Sequence, residues 1–370
     1  MGNPTIVFIA EPNKSSKILN SKAFNDSFNL IYYQLSSKED FLNFLNEHAN
    51  NNIQAIYGGY PQFTPIGGLT KSMIEDSRFP TKTLKCIAVC SRGYNGIDID
   101  ALNQADIQLY NYQDSKLDPP MKLDQVGNDV ADCVLWHTLE GFRKFSKQQN
   151  QLLSDKDTLI ARAQLANKQK SYAFGHEFVA INSTWMARSP RGEKCLILGL
   201  GSIGKQIGLK IQFGLGMQVH YSKRKESVEI KKSHHWNYHP LDKSLYEKLK
   251  MFKLIVVALP GTAETKDLIN ADFLTHCDGP NLVLINIGRG SIVNMHDVTM
   301  ALQNGQLRHF GADVFANEPI VDDIFTEHDF FTSITPHTGS STQEVFYQSC
   351  ELALSKITSA CLIPENTTPQ

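Results

Sequence analysis

Three short segments in the C-terminal half of the chain carry side chains that could act together on a small acid. They span residues 286–291, 311–319 and 335–341 and contain Arg289, Glu318 and His337. Arginine can hold a carboxylate and polarise an adjacent carbonyl through its forked donors. Histidine can protonate the alkoxide left by hydride addition, and a carboxylate on its other ring nitrogen would raise its pKa. We therefore assign His337 as acid and base, Glu318 as its partner, and Arg289 as substrate clamp and electrophile in 2-keto acid reduction.

Each of these residues has a simpler interpretation when it is taken alone. A single histidine is more often a surface or hydrogen-bonded core residue than a catalytic one. Arg289 between two glycines could belong to a turn, and Glu318 before Pro319 could cap a helix. Their joint occurrence after a dinucleotide-binding pattern favours catalysis.

That pattern is Gly199-Leu-Gly201-Ser-Ile-Gly204, between a predicted strand at Cys195–Leu200 and a predicted helix at Lys205–Phe213. The first glycine allows a tight turn, the second lets the backbone approach a pyrophosphate, and the third lets the helix pack on the strand. Amides at the start of the helix would then face the anion. Glycines also cluster in ordinary turns, but the flanking strand and helix favour a dinucleotide site.

The next predicted strand, Met217–Ser222, ends in Ser222-Lys223-Arg224-Lys225. Enzymes that use NAD usually place Asp or Glu here to bind the ribose 2′-hydroxyl. A hydroxyl with several cations would instead attract a 2′-phosphate, and arginine can bind one bidentately. The segment predicts NADP(H) as the preferred cofactor, with NAD(H) or a plain solvated basic loop as alternatives.

An earlier loop, Ser91–Asp98, follows the predicted strand Leu84–Cys90. Its glycines would allow a nest of backbone amides that receives a carboxylate. The alternative is a plain strand-to-helix turn with Asp98 near the start of the helix.

The elements that position these segments alternate between strand and helix. The predicted strands are short apolar runs without strict alternation, as expected for strands buried on both faces. A Ser37 cap predicts a helix at Lys38–His48. The other predicted strands are Thr5–Ala10, Asn29–Gln34, Ala55–Tyr60, Ile107–Tyr112, Leu254–Pro260, Asn281–Ile287 and His309–Val314. This order predicts an α/β protein with two doubly wound parallel sheets.

Three further features set the expected domain boundaries. Asp118-Pro-Pro breaks the pattern before a long predicted helix from about Leu123 to Asn150. A polar stretch at 151–192 has weak periodicity, and a last helix at about Thr342–Cys361 could fold back onto the first domain. We expect one domain at 1–122 and 343–370, and a second at 123–342 that includes the polar insert.

Composition excludes several classes of function. A net charge of -2 does not indicate a nucleic-acid partner or an anionic membrane. No apolar run is long enough to predict a membrane span. The N-terminus has no basic region typical of a signal peptide, which favours the cytoplasm. Seven scattered cysteines predict neither a disulfide framework nor a metal site, and Cys86 and Cys195 are expected in the core.

The ordered motifs resemble the D-isomer-specific 2-hydroxyacid dehydrogenases, most clearly at 92–98, 128–132, 199–204, 259–265, 287–290, 313–319 and 336–341. The resemblance implies a flavodoxin-like substrate domain, a Rossmann cofactor domain and a homodimer. It implies that Arg289, Glu318 and His337 are the catalytic residues, and Ser222-Lys-Arg resembles the glyoxylate and hydroxypyruvate reductase branch. Residues implied or predicted to bind substrate are Arg92, Gly93, Tyr94 and Arg289. Residues implied or predicted to bind the cofactor are Val130, Gly199, Gly201, Ser202, Ile203, Gly204, Ser222, Lys223, Arg224, Leu259, Pro260, Thr265, Ile287, Gly288, Asp313 and Gly339.

Two departures from the family pattern, a longer and more polar stretch at 151–192 and Arg92, leave alternatives open. Arg92 stands where the family commonly has a small residue, and would either add a cation for an acidic substrate or point away. With Arg92 as its support, the oxidation of a larger hydroxy acid with NAD is one alternative. A dinucleotide-sensing binding protein, similar to the corepressors of this fold and docking through the polar insert, is another.

Overall fold

The computed structural model describes residues 2–94, 96–113, 125–180 and 183–362, apart from the side chain of Ser183. The chain divides into two units. The first comprises Met1–Pro119 and Ser341–Gln370, and the second comprises Pro120–Ser340. Asn95 and the predicted break at Asp118-Pro-Pro lie outside the described residues.

The first unit contains a five-stranded parallel sheet. Its strands are β1 (Thr5–Phe8), β2 (Asn29–Tyr32), β3 (Ile53–Gly59), β4 (Cys86–Val89) and β5 (Gln108–Tyr110). The order β2-β1-β3-β4-β5 is that of the flavodoxin-like doubly wound fold. Its helices up to residue 104 are α1 (Lys22–Ser27), α2 (Lys38–Glu47), α3 (Lys71–Ile74) and α4 (Ile99–Gln104). The predicted cap of α2 is confirmed, because the Ser37 hydroxyl accepts from the Asp40 amide.

The second unit contains a seven-stranded parallel sheet and a two-stranded antiparallel hairpin. Its helices are α5 (Gln125–Arg143), α6 (Phe145–Asp155), α7 (Thr158–Ala166), α8 (Ser202–Leu215), α9 (Val228–Ser233), α10 (Lys243–Tyr246), α11 (Ala271–Thr275), α12 (Met295–Gln303) and α13 (Ile324–Glu327). Its strands are β6 (Glu177–Ala180), β7 (Ser183–Met186), β8 (Lys194–Leu198), β9 (Gln218–Lys223), β10 (Asn237–Pro240), β11 (Leu254–Val257), β12 (Val283–Asn286), β13 (His309–Ala312) and β14 (Thr332–Ile334).

The seven-stranded sheet has the order β10-β9-β8-β11-β12-β13-β14. Counted from β8, this is the Rossmann order 3-2-1-4-5-6 with one strand added. Strands β11, β12 and β13 are buried along their whole length, which explains their continuous apolar sequences. The predicted fold class, with two doubly wound parallel sheets, is confirmed.

The last helix, α14 (Gln343–Leu362), packs against β3 and β4 of the first unit. Its buried face, which includes Leu354 and Ile357, joins the core formed by Phe8, Tyr57 and Ala88. Cys86 and Cys195 are fully buried, as expected of core residues. Chain segments from both ends of the sequence therefore build the first unit.

The single long helix predicted between Leu123 and Asn150 is wrong. Lys144 adopts a left-handed backbone conformation with φ of 56°, and the chain forms α5 and α6 on either side of it. The Lys144 side chain is buried, and the amide and hydroxyl of Ser146 donate to the Glu140 carboxylate. These contacts stabilise the interruption between α5 and α6. Leu123, where the predicted helix began, lies outside the described residues.

The polar stretch at 151–192 is largely ordered in the described residues. It holds the end of α6, helix α7 with its Asp157 cap, and the hairpin of β6 and β7. None of the described helices has the length and apolarity that crossing a bilayer requires.

Candidate active site

The turn between β8 and α8 is built on the three glycines of the predicted fingerprint. Gly199 has φ of +102°, and a Cβ there would lie 2.6 Å from the carbonyl oxygen of Ala258. A Cβ on Gly204 would lie 2.2 Å from the Gly199 carbonyl oxygen, so the helix packs directly on the turn. A Cβ on Gly201, in contrast, would meet no atom within 4 Å.

The space at Gly201 lies at the start of α8, because Gly201 is the N-cap residue. The helix begins at Ser202, three residues earlier than predicted, so Ser202 and Ile203 belong to its first turn. Open space at this N-terminus suits an anionic group, since the first amides of a helix have no partner within the helix. The turn therefore fits the pyrophosphate of a dinucleotide.

The basic segment at the end of β9 differs from expectation at its first residue. The Ser222 side chain is fully buried, and its hydroxyl makes no hydrogen bond within the described residues. Its carbonyl oxygen accepts from the Gly199 amide at 2.9 Å and so braces the glycine turn. Lys223 is half-buried and Arg224 is exposed. The hydroxyl predicted to meet a 2′-phosphate is therefore buried, whereas the two cations that follow it are more exposed.

Four loops follow β11, β12, β13 and β14, and close backbone contacts hold three of them together. A Cβ on Gly288 would lie 2.5 Å from the Leu259 carbonyl oxygen, and one on Gly290 would lie 2.0 Å from the Phe315 carbonyl carbon. The loop after β12, which carries Arg289, therefore packs between the loop of Leu259 after β11 and the loop of Glu318 after β13. Ile287 is buried beside it.

The loop after β11 is closed by Thr265. Its hydroxyl donates to the Pro260 carbonyl oxygen at 2.7 Å and accepts from the Thr262 amide at 2.8 Å. The Thr265 side chain thus stabilises a turn in which Gly261 lies against Arg289. A Cβ on Gly261 would lie 3.0 Å from the Arg289 Cγ. Thr265 is one of the predicted cofactor residues, and here its contacts are with its own loop.

Arg289 is held by its neighbours along the chain. Its Nη1 donates to the Gly288 carbonyl oxygen at 2.7 Å. Asn286 fixes the loop backbone, because its amide nitrogen donates to the Arg289 carbonyl and its Oδ1 accepts from the Gly288 amide. Asn286 is the first residue of the predicted 286–291 segment, but no role was predicted for it. A buried polar residue at the end of an apolar strand is the signal that could have found it.

His337 and Glu318 form the pair expected from the sequence. The His337 Nδ1 lies 2.9 Å from the Glu318 Oε2, and the other oxygen of Glu318 accepts from the Phe315 amide at 2.9 Å. The hydrogen bond that the His337 ring donates to Glu318 raises the pKa of His337 above its ordinary value, against the effect of burial. Burial raises the pKa of Glu318, but the contacts with His337 and Phe315 outweigh it and hold that pKa below its usual value.

The rest of the His337 side chain is open to solvent, since half of its surface is exposed. Its backbone is left-handed, with φ of 54°. A non-glycine residue in this region is uncommon and persists where the surroundings impose it, often at functional sites. With Nδ1–H committed to Glu318, the Nε2 atom is the one available to a ligand.

Asp313 organises the loop that carries His337. Its carboxylate accepts from the Thr335 hydroxyl at 2.6 Å and from the amides of Thr338 and Gly339 at 2.9 and 3.0 Å. Burial raises the pKa of Asp313, and these hydrogen bonds oppose the rise. A Cβ on Gly339 would lie 2.8 Å from the Asp313 Oδ2 and 3.5 Å from Val130. Three of the predicted cofactor residues therefore lie together.

The predicted substrate loop belongs to the first unit and is held by two amide side chains. Gln62 donates to the Gly93 carbonyl at 2.7 Å, and Asn111 donates to the Arg92 carbonyl at 2.6 Å. Tyr94 is exposed. Asp98 caps α4 by accepting from the Ala101 amide, as in the plain-turn alternative. Gln62 was missed by sequence reasoning because nothing marks a buried left-handed glutamine in advance.

Within the described part of the chain, no group of three or more His, Cys, Asp or Glu side chains could hold a metal ion.

Comparisons with known proteins agree with the fold and the motifs. Residues 158–339 match the family described as D-isomer specific 2-hydroxyacid dehydrogenase, NAD binding domain. A Saccharomyces cerevisiae protein assigned by name to the 2-hydroxyacid dehydrogenases, YGL185C, is 54% identical over 96% of this chain and 93% of its own length. Glyoxylate/hydroxypyruvate reductase B of Pectobacterium carotovorum is 28% identical over 75% of this chain and 76% of its own length. The holo structure of Rhodotorula graminis D-mandelate dehydrogenase matches with a TM-score of 0.79 and 22% identity, covering 100% of this chain and 99% of that one.

Proposed function

Because the chain belongs to the D-isomer-specific 2-hydroxyacid dehydrogenases, a family of oxidoreductases, we propose that it reduces short 2-keto acids to D-2-hydroxy acids with NADPH. The observation that carries this proposal is the 2.9 Å contact between His337 Nδ1 and Glu318 Oε2, with the rest of the ring open to a ligand. Glyoxylate and hydroxypyruvate are the first candidate substrates, as in the name of the Pectobacterium relative.

The proposed roles follow from the chemistry of each side chain. Arg289 binds the substrate carboxylate and polarises the carbonyl oxygen. NADPH, when bound, supplies the hydride to the carbonyl carbon. His337 donates its Nε2 proton to the developing alkoxide, while Glu318 holds Nδ1–H and favours the imidazolium form. The sign of the His337 pKa shift suits this role, since a raised pKa keeps the ring protonated at a higher pH.

We assign cofactor binding to the domain at 123–342, with the pyrophosphate at Gly199, Gly201 and Gly204. Asp313 and Val130 would meet the nicotinamide end. Residues 1–122 and 343–370 form the proposed substrate domain, in which Gly93 and Tyr94 receive the acid and Arg92 contributes a cation.

The direct test is the oxidation of NADPH, and separately of NADH, by the purified protein with a panel of 2-keto acids. The panel runs from glyoxylate and hydroxypyruvate to branched, aromatic and dicarboxylic acids. Turnover with NADPH supports the proposal, and the best substrate reveals whether the Arg92 cation matters. Tight NADPH binding with no turnover of any acid would overturn it in favour of a dinucleotide-sensing binding protein.

The coenzyme preference has its own test in Arg224. Replacing Arg224 with Asp removes a cation and adds a charge that repels a 2′-phosphate, so we expect the ratio of kcat/KM for NADPH over NADH to fall by a factor of about 10² or more. Lys232→Asp makes the same charge change at another exposed position of this unit and should leave the ratio unaltered. An Arg224→Asp enzyme that still strongly prefers NADPH would show that the phosphate site lies elsewhere.

We also propose that the protein is a homodimer formed through the segment between Phe145 and Met186. Large apolar side chains are exposed along this segment, including Leu153 at 65%, Tyr172 at 73% and Phe174 at 80%. Exposed apolar surface of this kind commonly marks an interface.

Light scattering of the purified protein should give the mass of two chains, and the double variant Leu153→Glu, Phe174→Asp should give that of one. Phe213→Asp, at another exposed phenylalanine of the same unit, is the matched control and should remain dimeric. A wild-type protein with the mass of one chain would refute the dimer.

A further inference from the structure

A row of polar side chains runs through the interior of the second unit, between α5 and the strands β13 and β14. Lys144, His309, Ser333 and His137 are each at most 7% exposed. Polar groups are buried at a cost unless they are hydrogen-bonded. Here each one bonds to the next.

The contacts form one continuous chain of hydrogen bonds. Lys144 Nζ lies 2.8 Å from His309 Nδ1, and His309 Nε2 lies 2.8 Å from the Ser333 hydroxyl. The same hydroxyl lies 2.7 Å from His137 Nδ1. His137 Nε2 lies 3.3 Å from the Thr335 hydroxyl, which donates to Asp313 Oδ1 at 2.6 Å.

Lys144 at one end of this row of hydrogen bonds and Asp313 at the other fix which atom donates in each hydrogen bond, and both ends require the same direction. An ammonium group only donates, so His309 Nδ1 must accept, and its Nε2–H then donates to Ser333. A carboxylate only accepts, so Thr335 must donate to Asp313 and accept from the Nε2–H of His137. Ser333 completes the sequence by donating to His137 Nδ1. Both imidazoles are therefore neutral and carry their proton on Nε2.

The electrostatic surroundings agree with neutral rings. Burial lowers the pKa of His137 to about 3 and holds that of His309 well below its usual value. Burial also lowers the pKa of Lys144 to about 7, but its neutral amine would still offer an N–H to His309.

The backbone leaves room for the two rings. A Cβ on Gly311 of β13 would lie 3.0 Å from His137 Nδ1, and one on Gly141 of α5 would lie 3.1 Å from the His309 ring. Both glycines therefore allow α5 and the sheet to approach with imidazoles between them.

The far end of this hydrogen-bonded row is Asp313, whose carboxylate also accepts from the amides of Thr338 and Gly339, the two residues that directly follow His337. The negative charge of Asp313 is also one of the influences that raise the pKa of His337. The orientation and charge of this carboxylate thus bear on the proposed acid.

We propose that Lys144, His309, Ser333, His137 and Thr335 are positioning residues that hold the Asp313 carboxylate ionised and oriented, and through it set the protonation of His337. Only the use of the His337 proton in catalysis rests on the proposed function. Successive hydrogen bonds in such a row polarise and strengthen one another in a low-dielectric interior.

Other titratable and charged groups face this row of hydrogen-bonded side chains and also affect its protonation. The charged groups near Lys144 are Glu140, Arg308 and Asp329, and Arg308 also faces His309. Glu318 and Arg289 face His337, and the titratable thiol of Cys133 faces Asp313.

The first measurement is the tautomer of each buried histidine in the wild-type protein without ligands. Long-range nitrogen–proton NMR of ¹⁵N-histidine-labelled protein should show His137 and His309 neutral, with the proton on Nε2, throughout the physiological pH range. Assignments come from His137→Gln and His309→Gln. A proton on Nδ1 of either ring, or a charged ring near neutral pH, would overturn the proposal.

The second measurement is the pKa of His337 by NMR in Thr335→Val and in Thr335→Ser. The valine removes the hydroxyl that stabilises ionised Asp313, so the Asp313 carboxylate should gain a proton at a higher pH. We expect the pKa of His337 to fall by about 0.5 to 1 unit, because a nearby charge shifts a pKa by that order or more. The serine variant keeps the hydroxyl and should retain the wild-type value.

The pH profile of reduction should follow the same shift. His337 acts as an acid, so the rate falls as pH rises through its pKa, and that fall should move to lower pH in Thr335→Val only. Equal His337 pKa values in the folded valine, serine and wild-type proteins would overturn the proposal. Since the NMR measurements need no turnover, a protein with these tautomers but no reductase activity would contradict the proposed function alone.

Discussion

Replacing His337 by alanine is expected to lower kcat for 2-keto acid reduction by a factor of about 10² to 10⁴, with the affinity for NADPH nearly unchanged. The ring is the only proposed proton donor to the alkoxide, and Glu318 holds its Nδ1 while half of the side chain stays exposed. Its removal should therefore affect the chemical step and leave the glycine turn at Gly201 intact. Steady-state kinetics and NADPH fluorescence titration measure the two quantities separately.

The Glu318→Gln variant provides a graded comparison. Glutamine can still accept a hydrogen bond from the ring, but it lacks the charge that favours imidazolium. We expect a smaller loss of kcat than in His337→Ala, and we expect the fall of the reduction rate with rising pH to occur at a lower pH than in the wild type.

Normal turnover in the His337→Ala variant would show that the histidine takes no part in the mechanism.

Replacing Arg289 by glutamine is expected to lower kcat/KM by a factor of about 10² to 10⁴. A charge-assisted hydrogen bond contributes about 1.5 to 3 kcal/mol, and a forked arginine can make two with the substrate acid. Lysine keeps the charge but loses the fork, so Arg289→Lys should lose about 10- to 100-fold. Because the carboxylate is held before and during reaction, KM should rise along with the fall in kcat.

The stability of each Arg289 variant needs to be compared with wild type by thermal unfolding. The aliphatic part of Arg289 lies against Gly261, so some packing is lost in both variants. If both fold and retain kcat/KM within twofold, Arg289 does not bind the substrate.

The sequence predicted the central strands because their burial is complete. Strands such as β11 (Leu254–Val257) have no solvent face, so they form continuous apolar runs. The edge strand β10 (Asn237–Pro240) was missed, since it is polar, partly exposed and ends in proline. The hairpin of β6 and β7 was also missed, because two four-residue strands give little periodicity.

The helix boundary at Lys144 could not have been predicted from local sequence. Lysine is a good helix former, and its left-handed conformation here depends on a buried contact with His309, which lies 165 residues away in the sequence. Tertiary contacts of this kind override local preference.

Much of the candidate site could be predicted, because its residues lie in loops that follow consecutive strands. Arg289 and the pair of Glu318 and His337 each follow a strand end where ligands bind in this architecture. Ser222 was harder to place, since a hydroxyl beside cations suggests a ligand contact, whereas the side chain is fully buried. The buried chain through His309 was invisible, because its members are scattered in sequence and histidine and lysine are usually surface residues.

The closing of the first unit by α14 has a consequence for the order of folding during synthesis. The apolar surface of β3 and β4, including Tyr57 and Ala88, is covered by residues that leave the ribosome only after position 340. The second unit is continuous in sequence and can complete its sheet before that. Domains usually fold in N- to C-terminal order as they emerge, but here the later-translated unit would finish first. Until α14 emerges, the apolar face of β3 and β4 on the nascent first unit has no cover from that helix.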